Sequence, residues 1–169
     1  MKILIVASFN KGFFAPFILE QSAALEQLGH TVHYFGIQGQ GMWGYVKNYK
    51  CLMHTIQDYK PDVIHAHYGL SGVLANLQRK VPVVTTYHGS DINNPKVRRF
   101  SKIAIRLSAW NIFVSQKNIQ LSGVGKRFSL IPCGVDTNVF KPMDKALCRQ
   151  KFGFEPYEKL ILFAGAFDN

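Results

Sequence analysis

The chain has 169 residues, 47% of them apolar and 18% charged, with a formal net charge of +10. That length supports one well-filled core but not two full α/β domains, and the balance excludes a disordered chain. No apolar run approaches the roughly 20 residues a spanning helix needs, and Cys51, Cys133 and Cys148, odd in number and far apart, fit neither a disulfide framework nor a zinc site.

The opening Met-Lys-Ile-Leu-Ile-Val-Ala is interrupted too soon by Ser8, Asn10 and Lys11 to be a signal peptide, and reads as a buried strand over residues 2–7. Next comes a helix with its core face in Phe14, Phe17, Ile18, Leu25 and Leu28, at spacings near three, four and seven. Pro16 suits its first turn, where no helical bond needs the missing N–H, and Gly29 ends it. Strands follow at residues 31–35, 62–66, 81–87, 111–114 and 128–131, with helices at 44–59, 70–79 and 96–109. Short β-branched runs alternating with helical patterns predict an α/β fold, a doubly wound Rossmann-like parallel sheet with helices on both faces. After Phe140-Lys141-Pro142 come a short helix at Lys145–Phe152, a Gly153 stop, a Pro156 turn and an apolar run at 159–165 that reads as a core strand. The expected domains are residues 1–142, and residues 143–169 as linker and first strand of a second domain cut short. The cysteine usage implies a reducing, cytoplasmic setting.

Charge is uneven, because no acidic residue occurs between Asp91 and Asp136. Lys96, Arg98, Arg99, Lys102, Arg106, Lys117, Lys126 and Arg127 all fall in that gap. A helix there sets an apolar stripe of Val97, Phe100, Ala104 and Leu107 beside a basic stripe of Arg98, Lys102 and Arg106. Two readings stand: a solvated helix face, or a surface that meets phosphate, with an anionic membrane as partner in preference to nucleic acid.

In such a sheet, ligands bind outside the carboxyl ends of the strands where the winding reverses. With the usual order 3-2-1-4-5-6, strands one and four are neighbours, so residues 10–13 and 88–91 should face one crevice. Gly12 alone does not make the Gly-x-Gly-x-x-Gly of dinucleotide binders. Its N–H at a helix N-terminus can approach a phosphate, or Gly12 is a plain turn glycine. His88-Gly-Ser-Asp91 is the densest polar cluster at a strand end. An imidazole there suits a sugar hydroxyl or a developing charge, and Asp91 can orient it or cap the next segment. His65 and His67 share one side of the third strand, His65 as a core residue and His67 as an acceptor contact. They lack a third ligand, so no metal is expected. Ser115 and His33 show no triad spacing.

Ala24-Leu-Glu-Gln-Leu-Gly-His-Thr-Val32, Pro61-Asp-Val-Ile-His-Ala-His67, Pro82-Val-Val-Thr-Thr-Tyr-His-Gly-Ser-Asp91 and Ile131-Pro-Cys-Gly-Val-Asp-Thr-Asn-Val-Phe-Lys-Pro142, in this order, resemble the amino-terminal domain of family-4 glycosyltransferases. The resemblance implies a two-domain GT-B architecture and a retaining transfer of sugar from a nucleotide sugar to a glycan or lipid-linked acceptor, in polysaccharide or glycolipid synthesis. It implies His88 as the catalytic residue near the transferred sugar, with Gly12 and Asp136 donor-binding; Asn10, Lys11, His67 and Asp91, placed at the strand ends by the argument above, are expected to bind the acceptor. It implies no cofactor beyond the nucleotide sugar, a cytoplasmic enzyme that can sit on the inner membrane face, and an inactive fragment when the donor domain is missing. The alternatives are a GT-B nucleotide-sugar epimerase and a non-catalytic α/β binding module.

Overall fold

A computed structural model of the chain describes residues 1–164, which divide into two compact units, 1–134 and 135 onward. The first unit is a single parallel sheet of six strands: β1 (Lys2–Ser8), β2 (Thr31–Ile37), β3 (Val63–His67), β4 (Val83–Tyr87), β5 (Trp110–Phe113) and β6 (Phe128–Leu130). Its helices are α1 (Pro16–Gln27), α2 (Gly41–Val46), α3 (Tyr49–Tyr59), α4 (Gly69–Asn76), α5 (Ser90–Asn93), α6 (Pro95–Leu107) and α7 (Gln116–Ser122). The α/β Rossmann-like expectation is met, and every expected strand of this unit is present.

The strand order differs: it is 2-1-3-4-5-6, not 3-2-1-4-5-6. β3 therefore lies between β1 and β4. In β2, Thr31 and His33 are exposed, while β1 is buried from Ile3 to Ala7. That contrast suits β2 to an edge and β1 to the interior of the sheet.

The two faces have separate cores. Ile3, Ile5 and Ala7 pack with Ile18, Phe14 and Phe17 of α1. Leu4 and Val6 face the other way, toward Leu52 and Ile56 of α3 and Leu74 of α4. Register carries that second face through Ile64, Val83 and Thr85 to Tyr87 and Phe113, where Ala104 and Ile105 of α6 cover it. The α1 face carries His65, His67 and Thr86 in matching register. α4 and α6 touch through glycine: a Cβ on Gly69 would lie 2.0 Å from Ser101 Oγ.

The helix expected over 44–59 is two helices, α2 and α3. Asn48 breaks it, donating through Nδ2 to the carbonyls of Gln38 and Gly44 at 2.9 and 2.8 Å. In α6, Val97, Phe100, Ala104 and Leu107 turn inward as expected, but Arg98 does not join the outer basic stripe. Its guanidinium donates to the carbonyls of Ile92 (2.6 Å) and Asn93 (3.2 Å), leaving Lys96, Arg99, Lys102 and Arg106 exposed.

In the second unit, α8 (Lys145–Phe152) is capped by Asp144, whose Oδ1 accepts from Leu147 N at 2.8 Å, and ends at left-handed Gly153. The strand expected over 159–165 is not formed across residues 159–164, and Gly165 lies outside the described residues. An apolar run becomes a strand only by pairing its backbone along a ladder.

Candidate functional site

The chain runs from β1 outward to β2 and then returns to β3 on the other side of β1, so the winding reverses between β1 and β3. At the carboxyl ends of β3 and β4, four rings gather. His88 is half-buried, with ring centroids of Phe17 at 4.3 Å, Tyr68 at 4.9 Å and His67 at 5.3 Å. Phe17 comes from the first turn of α1, Tyr68 from the residue after β3, and His88 from the residue after β4. Interposing β3 thus places His67 and Tyr68, rather than the 10–13 loop, beside His88.

Burial among rings disfavours a charged imidazole. It holds His88 and His65 down to about 4 and His67 well below the ordinary value, with neighbouring histidines adding to the effect on His65 and His67. All three are neutral near pH 7. His65 pairs with Thr86 Oγ1 at 2.8 Å, and His67 Nδ1 lies 3.0 Å from His88 Nε2.

Backbone strain concentrates beside this cluster. Tyr68 has φ 72° and ψ 153°, a conformation almost reserved for glycine. It is held on both sides, since its N–H donates to Thr86 O and its carbonyl accepts from Gly72 N, each at 2.9 Å. Gly89, at φ 110°, occupies a turn that an L side chain rarely adopts. Asp91 fastens these turns together: Oδ1 accepts from the N–H groups of His88 (3.2 Å) and Gly89 (3.0 Å), and Oδ2 from Gly69 N (3.0 Å). Its carboxyl is raised by desolvation, against the opposing pull of those N–H groups. Ser101 Oγ of α6 donates to Asp91 O at 2.8 Å.

Asp91, expected to meet the acceptor, is therefore buried with its carboxylate oxygens engaged by three backbone N–H groups. His67 is likewise fully buried and reaches the crevice through His88. Asn10 clasps Gly39, accepting from its N–H at 2.7 Å and donating to its carbonyl at 2.9 Å, which ties the β1 loop to the β2 loop. Gly12 precedes α1 by several residues, and its N–H donates to Phe9 O at 3.0 Å, so this donor is already used. Its φ of 77° gives the turn a reason for glycine. Lys11 is exposed. Asp136, in the second unit, accepts from Asn138 N at 2.8 Å and begins a turn through Phe140. Tyr68 and Phe17 were not expected at the site; no residue type announces a left-handed tyrosine, and Phe17 reads as an ordinary core position. Among the described residues no group of three His, Cys, Asp or Glu is disposed to hold a metal.

Elsewhere, a cavity of about 270 Å³ lies between α6 and the turn from α7 to β6. Lys102, Arg106, Lys126 and Arg127 line it, with no carboxylate among the lining residues.

Comparison with known proteins gives the family and the fold. The model of the family described as Glycosyltransferase Family 4 matches residues 15–139. The D-inositol 3-phosphate glycosyltransferase of Thermobispora bispora is 29% identical over 137 residues, 68% of this chain and 32% of that protein. The chain thus spans about a third of the length of such curated relatives. Sucrose-phosphate synthase from Thermosynechococcus elongatus superposes with a TM-score of 0.78 at 17% identity, over 99% of this chain and 56% of that one. Anabaena HepE, solved with UDP and glucose, gives 0.55 at 21% identity, over 90% and 50%.

Proposed function

The chain belongs to Glycosyltransferase Family 4, and from that premise we propose that it is the acceptor-side part of a retaining glycosyltransferase that moves a sugar from a nucleotide sugar to a glycan or lipid-linked acceptor. The observation that carries this reading is His88: a neutral imidazole at the strand end next to the winding reversal, walled by Phe17 and by Tyr68, whose own backbone is strained. Strain of this kind persists where the surroundings over-determine it, and it clusters at ligand sites. A neutral imidazole beside aromatic walls suits a sugar, whose hydroxyls take hydrogen bonds and whose C–H faces pack on rings. Gly12 and Asp136 remain our assignment for the donor side, with Gly12 shaping the loop and not spending its N–H on phosphate. Asn10 and Lys11 remain on the acceptor side.

The exposed Lys96, Arg99, Lys102 and Arg106 of α6, continuous with the basic cavity, support docking on an anionic membrane surface at the cytoplasmic face, where a lipid-linked acceptor would be met. No described helix is long and apolar enough to cross a membrane.

The test is His88→Ala in a protein of the relatives' full length, assayed with a panel of UDP-, GDP- and ADP-sugars below its unfolding temperature. Losing a hydrogen bond to substrate is worth about 1.5–3 kcal/mol, or about ten- to a hundredfold in turnover per folded molecule. Unchanged kinetics would remove His88 from the site.

A further inference from the structure

His67 and His88 share one hydrogen bond, and its direction decides what the site offers a ligand. With both rings neutral, each carries one proton, and the 3.0 Å contact between His67 Nδ1 and His88 Nε2 can run either way. Suppose His88 donates from Nε2. His67 then accepts at Nδ1 and must hold its own proton on Nε2. That Nε2 is buried and has no hydrogen-bond partner among the described residues. A buried N–H left without an acceptor is the rarer and costlier kind of orphan. Suppose instead that His67 donates from Nδ1. Only a lone pair is stranded at Nε2, and His88 must hold its proton on Nδ1. The neighbouring His65 does not relieve His67 Nε2, which has no hydrogen-bond partner, and its own Nε2 pairs with Thr86 Oγ1 at 2.8 Å. His88 Nδ1 has no partner among the described residues and, unlike His67 Nε2, is not sealed from solvent.

We propose that His67 is a positioning residue: donating from Nδ1, it locks His88 in the Nδ1–H form, so that the crevice presents a hydrogen-bond donor and the ligand atom that meets it is an acceptor oxygen. In that form His88 cannot take a proton from the ligand at this nitrogen. It anchors a hydroxyl or phosphate oxygen and does not act there as a base. The ligand's place against His88 rests on the transferase reading above, whereas the direction of the His67–His88 bond does not.

Long-range proton–nitrogen correlation spectra of the ¹⁵N-labelled chain near neutral pH show which nitrogen of each ring is protonated. Nδ1–H on both His67 and His88 is expected, and Nε2–H on His88 overturns the proposal. His67→Asn, whose side-chain amide can place an N–H where Nδ1 stands, is expected to keep His88 in the Nδ1–H form. His67→Leu, which fills similar space without a donor, is expected to release His88 toward the Nε2–H form that prevails for a free histidine side chain in water. An unchanged His88 in His67→Leu, or a released one in His67→Asn, counts against the positioning role. Should the Leu variant not fold, the unaltered chain and His67→Asn decide. The spectra need no sugar nucleotide and no turnover, so failure of the transferase assay leaves this result standing, and a wrong tautomer leaves the transferase reading standing.

Discussion

Acid should weaken this fold through its buried imidazoles. His65 and His88 are held to about 4, against an ordinary value of 6.5 that the unfolded chain recovers. Because the unfolded chain then takes up protons first, stability present above about pH 6.5 is lost as pH falls through the window down to about 4. For fully buried His65, moving from about pH 7 to about pH 5 removes about 2 kcal/mol. His88 adds somewhat less because part of its ring is wet, and His67 acts in the same direction. Asp91 works the other way, since burial raises its carboxyl and its ionised form costs stability that returns on protonation. Urea unfolding at about pH 7, 6 and 5, followed by circular dichroism, reads the loss as a falling midpoint at constant slope. His65→Gln keeps an amide N–H for Thr86 and removes one titrating ring, so its pH dependence should be shallower by the His65 share. A midpoint that does not fall by pH 5, or an equally steep fall in His65→Gln, would refute the reasoning.

Gly69→Ala should cost about 2–3 kcal/mol in chemical denaturation, since its Cβ would lie 2.7 Å from Ser101 Cα and force α4 from α6; near-normal stability would show the contact to be soft. Calorimetry of the 169-residue chain with UDP-, GDP- and ADP-sugars should give no heat, because the described residues form one sheet and our reading gives base and ribose to a second domain; micromolar binding would defeat that division. The exposed α6 cations should hold the protein on phosphatidylglycerol vesicles but not on neutral ones, at about 1 kcal/mol per side chain and only at low salt. Replacing Lys102 and Arg106 with serine should weaken recovery, and equal recovery in every condition would mark an ordinary solvated face.

The six strands of the sheet were legible because each is a short apolar run between helical patterns, and α8 because Gly153 stops it. Their order was not, since pairing is a long-range choice; the polar alternation of Thr31 and His33 was the available sign of an edge. His88 was legible as a polar residue at a strand end. Tyr68 was not, because its φ is imposed by bonds to Thr86 and Gly72 that no residue type encodes. Arg98 was read as surface because sequence shows spacing and charge, whereas the carbonyls that turn it inward belong to the preceding turn.

Those Arg98 bonds have a mechanical consequence. Arg98 grips Ile92 and Asn93, Ser101 grips Asp91, and Asp91 in turn grips the peptide of His88. The helix bearing the basic face and the loop bearing the imidazole are thus linked like a lever and its load. Whatever displaces α6, a charged surface or a substitution, acts directly on the turn of Asp91, Ile92 and Asn93 that these bonds hold, and Asp91 joins that turn to the His88 peptide.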